Sequence, residues 1–361
     1  MTTRILAKTD LGRFLDTLRH GPDGSRRVFA PGKDPKTPGK TIWRAVADAA
    51  SLDFGYANTD MSPKEFVFPQ SECLMRFASR GDTPMVLAEE PLDGPPAVLF
   101  GVRPCDAKAL AVLDAIFRQD DRANDIYWQR RREATAIVSL ACNHPCPTCF
   151  CTAVGCGPHH ATGSDVLLTD LGDRLLVRPA TPRGEALTCG LPEATQADMD
   201  AAAARRDAAE AALATPEATL DMRAIEARTV LELYDMPHWD RVAATCLNCG
   251  TCTFACPTCH CFDIQDESTA MQGRDGRRMR NWDSCMSPLF TLHASRHNPR
   301  GAKVARVRQR FMHKFKYIPM KRNGAIGCVG CGRCVRLCPV NIDVRDVVKA
   351  MNAAFKDESP C

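Results

Sequence analysis

The sequence predicts an α+β protein in which a mixed α/β domain precedes a mainly helical domain built around a repeated cysteine motif. Short apolar runs and stretches of helical spacing alternate over residues 1–190, which indicates strands mixed with helices in one layered domain. Residues 191–239 are rich in alanine and charge and predict a helical connector. Residues 240–361 contain two copies of one cysteine pattern, joined by a basic stretch.

Local patterns predict the individual elements. Strands are predicted at three apolar runs, 84–87, 96–101 and 135–140, of which the first two are expected to be buried. A hairpin is predicted around Gly172, with arms at 165–168 and 174–177. Helices are predicted where composition or apolar spacing favours them, at 106–117, 200–214, 220–234 and 304–315. Residues 355–361 are expected to fray.

Composition narrows the class of protein. The chain has 361 residues with 45% apolar and 25% charged, which is typical of globular proteins, and a net charge of +4 is too small to argue for nucleic acid. The first ten residues lack the apolar centre of a signal peptide, and no run of about 18 apolar residues is present. We therefore expect a cytoplasmic protein without a membrane span, whose 20 cysteines serve as metal or cluster ligands.

Two identical cysteine patterns predict two 4Fe-4S clusters. Each has the C-x2-C-x2-C-x3-C-P spacing of bacterial ferredoxins, in which the fourth cysteine binds the other cluster. The predicted ligand sets are Cys246, Cys249, Cys252 and Cys338 for one cluster, and Cys328, Cys331, Cys334 and Cys256 for the other. Gly250 and Gly332 are expected to let the backbone approach the inorganic sulfides. A zinc site, the alternative, needs only two cysteine pairs.

Cysteines outside these motifs predict a further site. The run Cys146-Pro-Thr-Cys149-Phe-Cys151 echoes Cys256-Pro-Thr-Cys259-His-Cys261. The preferred ligands of a third iron–sulfur cluster are Cys105, Cys142, Cys149 and Cys151, with Cys146 as a substitute, while a zinc site and buried free thiols, Cys156 among them, are the alternatives.

The remaining cysteines and one histidine pair are harder to assign. Cys259, Cys261 and Cys285 either bind a further cluster or shield the first one. Three isolated thiols are expected to be incidental: Cys73, Cys189 and Cys361. His159 and His160 are expected to be solvated rather than to bind a metal.

The complete set of motifs resembles one family. Five segments carry the resemblance together with the two ferredoxin motifs: 61–70, 101–106, 149–151, 282–285 and 312–317. The chain resembles the β (iron–sulfur) subunits of cytoplasmic sulfhydrogenase-type nickel–iron hydrogenases. It is similar in layout to the iron–sulfur subunit of anaerobic sulfite reductase and to subunits of heterodisulfide-reductase-type flavin complexes. Its long insert between the motifs is similar to the α-helical ferredoxin arrangement. The chain departs from the family near Arg296, where the family pattern predicts a glycine.

The resemblance implies a non-catalytic electron-transfer subunit of a multi-subunit oxidoreductase. Such a subunit relays single electrons between an NAD(P)H-linked flavoprotein subunit and a catalytic hydrogenase, sulfite reductase or heterodisulfide-reductase-like subunit. The residues fit this role, because no G-x-G-x-x-G opens a helix after a strand. The alternative function is an iron–sulfur redox sensor that binds nucleic acid through the nine Lys and Arg residues of 300–322. The nearly balanced charge favours instead a basic helix packed near anionic clusters or docked against an acidic partner.

Overall fold

The computed structural model describes residues 1–21, 24–46, 48–79, 85–91, 96–118, 124–268 and 275–353. Its strands are β1 (Arg4–Ala7), β2 (His20–Gly21), β3 (Gly24–Ser25), β4 (Arg27–Lys33), β5 (Thr41–Ala45), β6 (Ser71–Ala78), β7 (Val86–Glu89), β8 (Ala97–Val102), β9 (Thr135–Leu140), β10 (Val166–Asp170), β11 (Arg174–Pro179), β12 (Phe262–Ser268) and β13 (Asp275–Trp282).

Its helices are α1 (Leu11–Arg19), α2 (Pro104–Phe117), α3 (Ile126–Glu133), α4 (Pro182–Thr188), α5 (Gln196–Leu213), α6 (Met222–Ala227), α7 (Val230–Tyr234), α8 (His238–Thr245), α9 (Thr251–Phe254), α10 (Lys303–Met312), α11 (Ile318–Lys321), α12 (Arg333–Arg336) and α13 (Val344–Ala353). A π-helix (His313–Tyr317) joins α10 to α11. Short 3-10 segments lie at Lys8–Asp10, Ala49–Ser51, Pro63–Phe66 and Thr152–Val154.

Seven strands form the main sheet in the order β1-β11-β10-β9-β8-β4-β5. Its four central strands pair in parallel, and antiparallel strands close both edges. Strands β8 and β9 are buried along their whole length, as parallel strands covered on both faces should be. Strands β8 and β9 are parallel neighbours, so their carboxyl ends meet at one edge of the sheet. This is the edge of an open parallel sheet where ligands generally bind.

A second sheet joins the two halves of the chain. Its order is β12-β13-β6-β7, so the hairpin of the insert between the cysteine motifs pairs with strands from the first 90 residues. Met279 of β13 lies opposite Cys73 of β6, and Asn281 lies opposite Ser71. The predicted domain boundary at residue 240 stays a prediction, but backbone hydrogen bonds of one sheet cross it.

The structure confirms most of the predicted elements. The predicted strands at 96–101 and 135–140, the hairpin around Gly172 and the helix at 106–117 correspond to β8, β9, β10 with β11, and α2. The run at 84–87 contributes to β7, but every residue of β7 is exposed, since among the described residues this strand pairs only with β6. The predicted burial of that run is therefore wrong, and Pro84 lies outside the described residues, as do residues 355–361.

The connector is more broken than its composition predicts. The helix expected over 200–214 is α5, which begins earlier because the Thr195 side chain accepts a hydrogen bond from the backbone of Asp198 in a capping box. The helix expected over 220–234 is divided into α6 and α7. Arg228 is extended between them, and Thr229 caps α7 with a second capping box. A capping residue inside an apolar pattern thus ended one helix and started another.

The C-terminal half packs around a hydrophobic core that also contains Phe150 and Val154 of the N-terminal half. The Trp239 ring is buried and stacks on Phe311 with 6.2 Å between ring centroids, which fixes α8 against α10. Four motif cysteines pack on the margin of this core: Cys246, Cys252, Cys328 and Cys334. Among the residues that the structure describes, no helix is both long and apolar enough to cross a membrane.

Candidate metal centres

The first cysteine motif forms a loop at the protein surface. One cavity is lined by four predicted ligands of a single cluster: Cys246, Cys249, Cys252 and Cys338. Cys249 is exposed, and Leu247 beside it is 64% exposed. A hydrogen bond with Thr251 lowers the pKa of the Cys249 thiol, which favours the thiolate that iron requires.

The cysteines of the second motif lie deeper. Cys331 is buried, and burial raises the pKa of its thiol, with the Cys256 thiolate among the further causes. Burial likewise raises the pKa of Cys328 to about 11, and Cys256 adds to that rise. Thr258, two residues after Cys256, donates to Gly327 O beside the second motif at 2.8 Å, while Cys338 lines the cavity of the first. This placement supports the crossed ligand sets, which stay a prediction.

Backbone N–H groups donate to sulfur at equivalent positions of the two motifs. Asn248 N lies 3.4 Å from Cys246 Sγ, and Gly330 N lies 3.5 Å from Cys328 Sγ. Both donors come from residues in the left-handed region, at φ 56° and 63°. Hydrogen bonds of this kind stabilise the negative sulfur of a bound thiolate. The donor set of these loops therefore fits 4Fe-4S clusters.

At two glycines of the second motif, another part of the chain approaches the backbone closely. A Cβ on Gly330 would lie 2.5 Å from Cys151 Cα, and one on Gly332 would lie 2.6 Å from Thr148 O. The backbone of Phe150 also donates to Gly330 O at 2.9 Å. The N-terminal cysteine loop therefore packs directly on the second motif. The expected role of Gly332 toward inorganic sulfide stays a prediction, and this contact is an additional reason for glycine there.

The cysteines of the N-terminal half converge at the carboxyl edge of the main sheet. Five of them line one cavity: Cys105, Cys142, Cys146, Cys149 and Cys151. Cys105 lies in the first turn of α2, where the helix dipole favours negative charge, and Cys142 follows β9. Arg103 also lines the cavity and donates to Ala141 O at 2.8 Å. The structure thus brings together the four predicted ligands and the substitute Cys146.

Other predicted candidates lie beside these cavities. Cys156 is buried with Cys151 and Leu213 in a small apolar cluster, so it packs like a small hydrophobic residue. His160 is exposed as expected, whereas His159 is half-buried and burial lowers its pKa to about 4. Cys361 lies outside the described residues.

Cys73 and Cys189 belong to different surroundings. Cys73 is on β6, where its Sγ lies 3.5 Å from Met75 O. Cys189 is exposed at the end of α4. In the described part of the chain, no three His, Cys, Asp or Glu side chains converge at the spacing of a single metal ion.

The three cysteine groups adjoin one another, because cysteines of the second motif line the cavities of the other two groups. Cys334 of the second motif also lines the cavity of the first, and Cys331 also lines the N-terminal cavity. Cys149 Sγ lies 3.7 Å from Cys331 O. The groups therefore form a continuous series from the exposed Cys249 to the edge of the main sheet.

Buried cations lie among these cysteines. Arg310 is buried, lines the first cavity and lies with Nη1 3.5 Å from Cys259 Sγ. Lys314 is buried one turn later, and its Nζ donates to Thr258 Oγ1 at 2.9 Å. Burial alone lowers the pKa of Lys314, but the Cys256 and Cys259 thiolates raise it above its ordinary value. These side chains would offset the negative charge of thiolates and clusters.

An ion pair fixes the second motif to the N-terminal half. Arg333, within the motif, is fully buried and donates to both oxygens of Asp106 at 2.6 and 2.8 Å. It also donates to Thr59 O at 2.6 Å. Sequence reasoning did not identify this pair, because its two residues are far apart in the chain. The position of Arg333 between two cluster cysteines was the only available signal.

The comparisons with known proteins agree with this arrangement. The 4Fe-4S dicluster domain family matches residues 245–342, which contain all eight motif cysteines. The sulfhydrogenase 2 subunit beta of Pyrococcus furiosus is 30% identical over 325 residues, covering 88% of this chain and 90% of that protein. The chain belongs to the sulfhydrogenase β subunit family. No solved structure matches this sulfhydrogenase β homologue significantly.

The basic stretch of this sulfhydrogenase β homologue faces inward. Four of its nine Lys and Arg residues are buried: Arg306, Arg310, Lys314 and Lys316. Lys316 donates to the carbonyl of Glu226 at 2.8 Å at the end of α6, away from the cysteines. These contacts favour a helix packed on the interior over a nucleic-acid surface.

The departure of this sulfhydrogenase β homologue at Arg296 has a structural counterpart. Arg296 adopts φ 65°, the left-handed region that favours glycine. Its N–H donates to His293 O at 2.8 Å, and His293 N donates to His297 O at 2.9 Å, which closes a tight turn. A glycine near this position would suit the same turn.

Proposed function

We propose that this chain is the electron-transfer subunit that relays single electrons between an NAD(P)H-linked flavoprotein subunit and a catalytic subunit. The catalytic subunit would be a hydrogenase, a sulfite reductase or a heterodisulfide-reductase-like protein. The series of adjoining cysteine groups, from the exposed Cys249 to the N-terminal cavity, is the observation that carries this proposal. Membership of the sulfhydrogenase β family supports it.

The proposed ligands divide among three centres. Cys246, Cys249, Cys252 and Cys338 would hold the first cluster, and Cys328, Cys331, Cys334 and Cys256 the second. The N-terminal cavity would hold a third cluster on Cys105, Cys142, Cys149 and Cys151, with Cys146 as the substitute. Bound iron–sulfur clusters would supply reversible one-electron chemistry.

The side chains around these ligands would bind, orient and exclude water. Asn248 N and Gly330 N donate to ligand sulfurs and would stabilise the reduced state. Arg310 and Lys314 place positive charge beside the thiolates, which also favours the reduced state. Cys331 is buried where it lines the N-terminal cavity, which excludes water from that wall. The exposed first loop would face a partner subunit.

Reduction experiments with the isolated chain test the relay. Anaerobically reconstituted protein should be reduced by dithionite but not by NADH or NADPH alone, because no dinucleotide motif is present in its sequence. Adding the flavoprotein subunit should make reduction by the nicotinamide fast, since a flavin converts a hydride into single electrons. Rapid direct reduction of the flavin-free chain by NADPH would show that residues 1–190 contain a nucleotide site.

Metal analysis tests the centres themselves. Two clusters predict about eight irons per chain and three predict about twelve, each with matching acid-labile sulfide. Fewer than about six irons together with bound zinc would contradict the iron–sulfur assignment of the motifs.

A further inference from the structure

A third cavity adjoins the first of the two already described, and Arg310 lines both of them. Three of its lining residues are Cys259, Cys261 and Cys285. Cys261 and Cys285 are in side-chain hydrogen-bond contact, although the chain between them forms the whole β12–β13 hairpin. Cys285 is buried. The hairpin therefore brings the Cys285 thiol into contact with Cys261.

The turn that ends at Cys259 has a counterpart elsewhere in the molecule. In Cys146-Pro-Thr-Cys149 and in Cys256-Pro-Thr-Cys259, the first and fourth thiols are in contact. Both turns bond to the loop of the second motif, the first through its following residue Phe150 and the second through Thr258 Oγ1, which donates to Gly327 O at 2.8 Å. The second motif thus lies between two equivalent cysteine turns, one of which opens onto the N-terminal cavity.

Positive charge is concentrated around this third cavity. Arg310 and Lys314 line it, and Lys64 donates from Nζ to Cys259 O at 2.6 Å and to Cys256 O at 3.0 Å. All three cations are buried, and their described contacts are to carbonyl, hydroxyl, thiol and aromatic groups. Buried cations are costly unless anionic groups lie nearby. A group of thiolates holding an anionic cluster would provide that charge.

An imidazole completes the donor set. His313 opens the π-helix between α10 and α11 and lines the cavity, with its ring centroid 5.5 Å from that of His260. A π-helix shifts the side chains that follow it, and such insertions are frequent at functional sites. His260 lies between Cys259 and Cys261 in sequence, and its Nδ1 is 3.1 Å from Thr258 O. His313 comes from a separate element and is therefore better placed to act as a fourth ligand.

We propose that Cys259, Cys261, Cys285 and His313 hold a further iron–sulfur cluster beside the second ferredoxin-type centre. The proposal rests on the function proposed above and adds a branch to its relay. Contact between Cys256 and Cys259 joins this cluster to the second one. Each transfer oxidises one cluster by one electron and reduces its neighbour by one electron, and no covalent bond forms or breaks.

Cysteine variants of the full chain test the site. After anaerobic reconstitution, Cys261→Ser and Cys285→Ser should each lose at least two irons per chain. The paramagnetic resonance signals of the two ferredoxin-type clusters should remain after reduction. Cys73→Ser is the matched control, since that thiol lies on β6 outside the cavity, and it should keep the wild-type iron content. His313→Cys should retain the iron and shift the resonance of the additional cluster.

Wild-type iron content and spectra in both serine variants would overturn the proposal. Wild-type spectra in His313→Cys and His313→Ala would overturn the ligand role of the imidazole. If the serine variants fail to fold, alkylation of the unmodified protein decides: the three cysteines should be protected in the reconstituted chain and reactive after iron removal. Equal reactivity in both states contradicts a cluster there. Direct reduction by NADPH would overturn the relay but would leave these readouts unchanged.

Discussion

The two cysteine motifs have the same spacing but opposite surroundings. In the first, Leu247 is 64% exposed, whereas Val329 at the equivalent position of the second is 2% exposed. The residue before the second cysteine is Asn248 in one motif and Gly330 in the other, and both adopt positive φ. Asparagine tolerates this backbone at the surface, but only glycine fits where Cys151 approaches. The spacing of the cysteines therefore identifies the predicted cluster ligands. The residues between the cysteines determine what each loop packs against.

The largest difference between the two motifs is expected when the fourth cysteine of each motif is replaced by serine. Cys256→Ser should remove the resonance signal of the second cluster, and Cys338→Ser that of the first, because each would ligate the cluster of the other motif. Cys334→Ser should remove the signal of the second cluster and Cys249→Ser that of the first, so these two variants show which signal belongs to which cluster. Soluble yield should fall most for Cys256→Ser, since cluster binding is coupled to folding. Loss of only the first signal in Cys256→Ser would show that the sets are not crossed.

The ion pair of the second motif should give the next largest effect. Arg333→Met leaves the Asp106 carboxylate buried without its partner and should lower the free energy of unfolding by about 3–5 kcal/mol. Thr251→Ala changes the equivalent residue of the first motif and should cost less than about 0.5 kcal/mol. Anaerobic denaturant titration measures both. Similar small losses in the two variants would mean that the pair contributes little to joining the halves.

A reciprocal exchange tests the contact between loops. Gly330→Asn places a Cβ 2.5 Å from Cys151 Cα and should cost about 1–3 kcal/mol through overpacking. Asn248→Gly should change stability by less than about 1 kcal/mol, because the first loop is free of such a contact in the described residues. Thermal unfolding under anaerobic conditions measures the stability of both variants. Equal tolerance of both changes would contradict close packing of the N-terminal cysteine loop.

The smallest effect concerns the apolar residues of the two loops. Val329 packs against Ala109 and Val112 of α2, so Val329→Ala should destabilise the protein by about 1–2 kcal/mol. Leu247→Ala should leave its stability within about 0.5 kcal/mol. If Leu247 contributes to a partner interface, that variant should instead slow electron transfer with the flavoprotein or catalytic subunit, which stopped-flow reduction would detect. A large stability loss for Leu247→Ala would place the first loop in the interior.

Local sequence determined what depends on neighbouring residues. The eight motif cysteines could be predicted as ligands because those of a cluster loop are a few residues apart, and the matched dicluster family spans the segment that contains them. Strands β8 and β9 and helix α2 could be predicted because their apolar periodicity is a property of one segment. The break between α6 and α7 was missed because a capping Thr229 outweighed the apolar pattern around it.

Tertiary structure alone decided what depends on distant segments. It placed Cys105, Cys142 and Cys149 on one cavity because strand order, which local patterns do not encode, brings the ends of β8 and β9 together. It turned Arg310 and Lys314 inward, although nine basic residues in one stretch look like a charged surface in sequence. It also joined the β12–β13 hairpin to β6. Burial and charge compensation are properties of the packed chain, so they appear only when its remote parts are brought into contact.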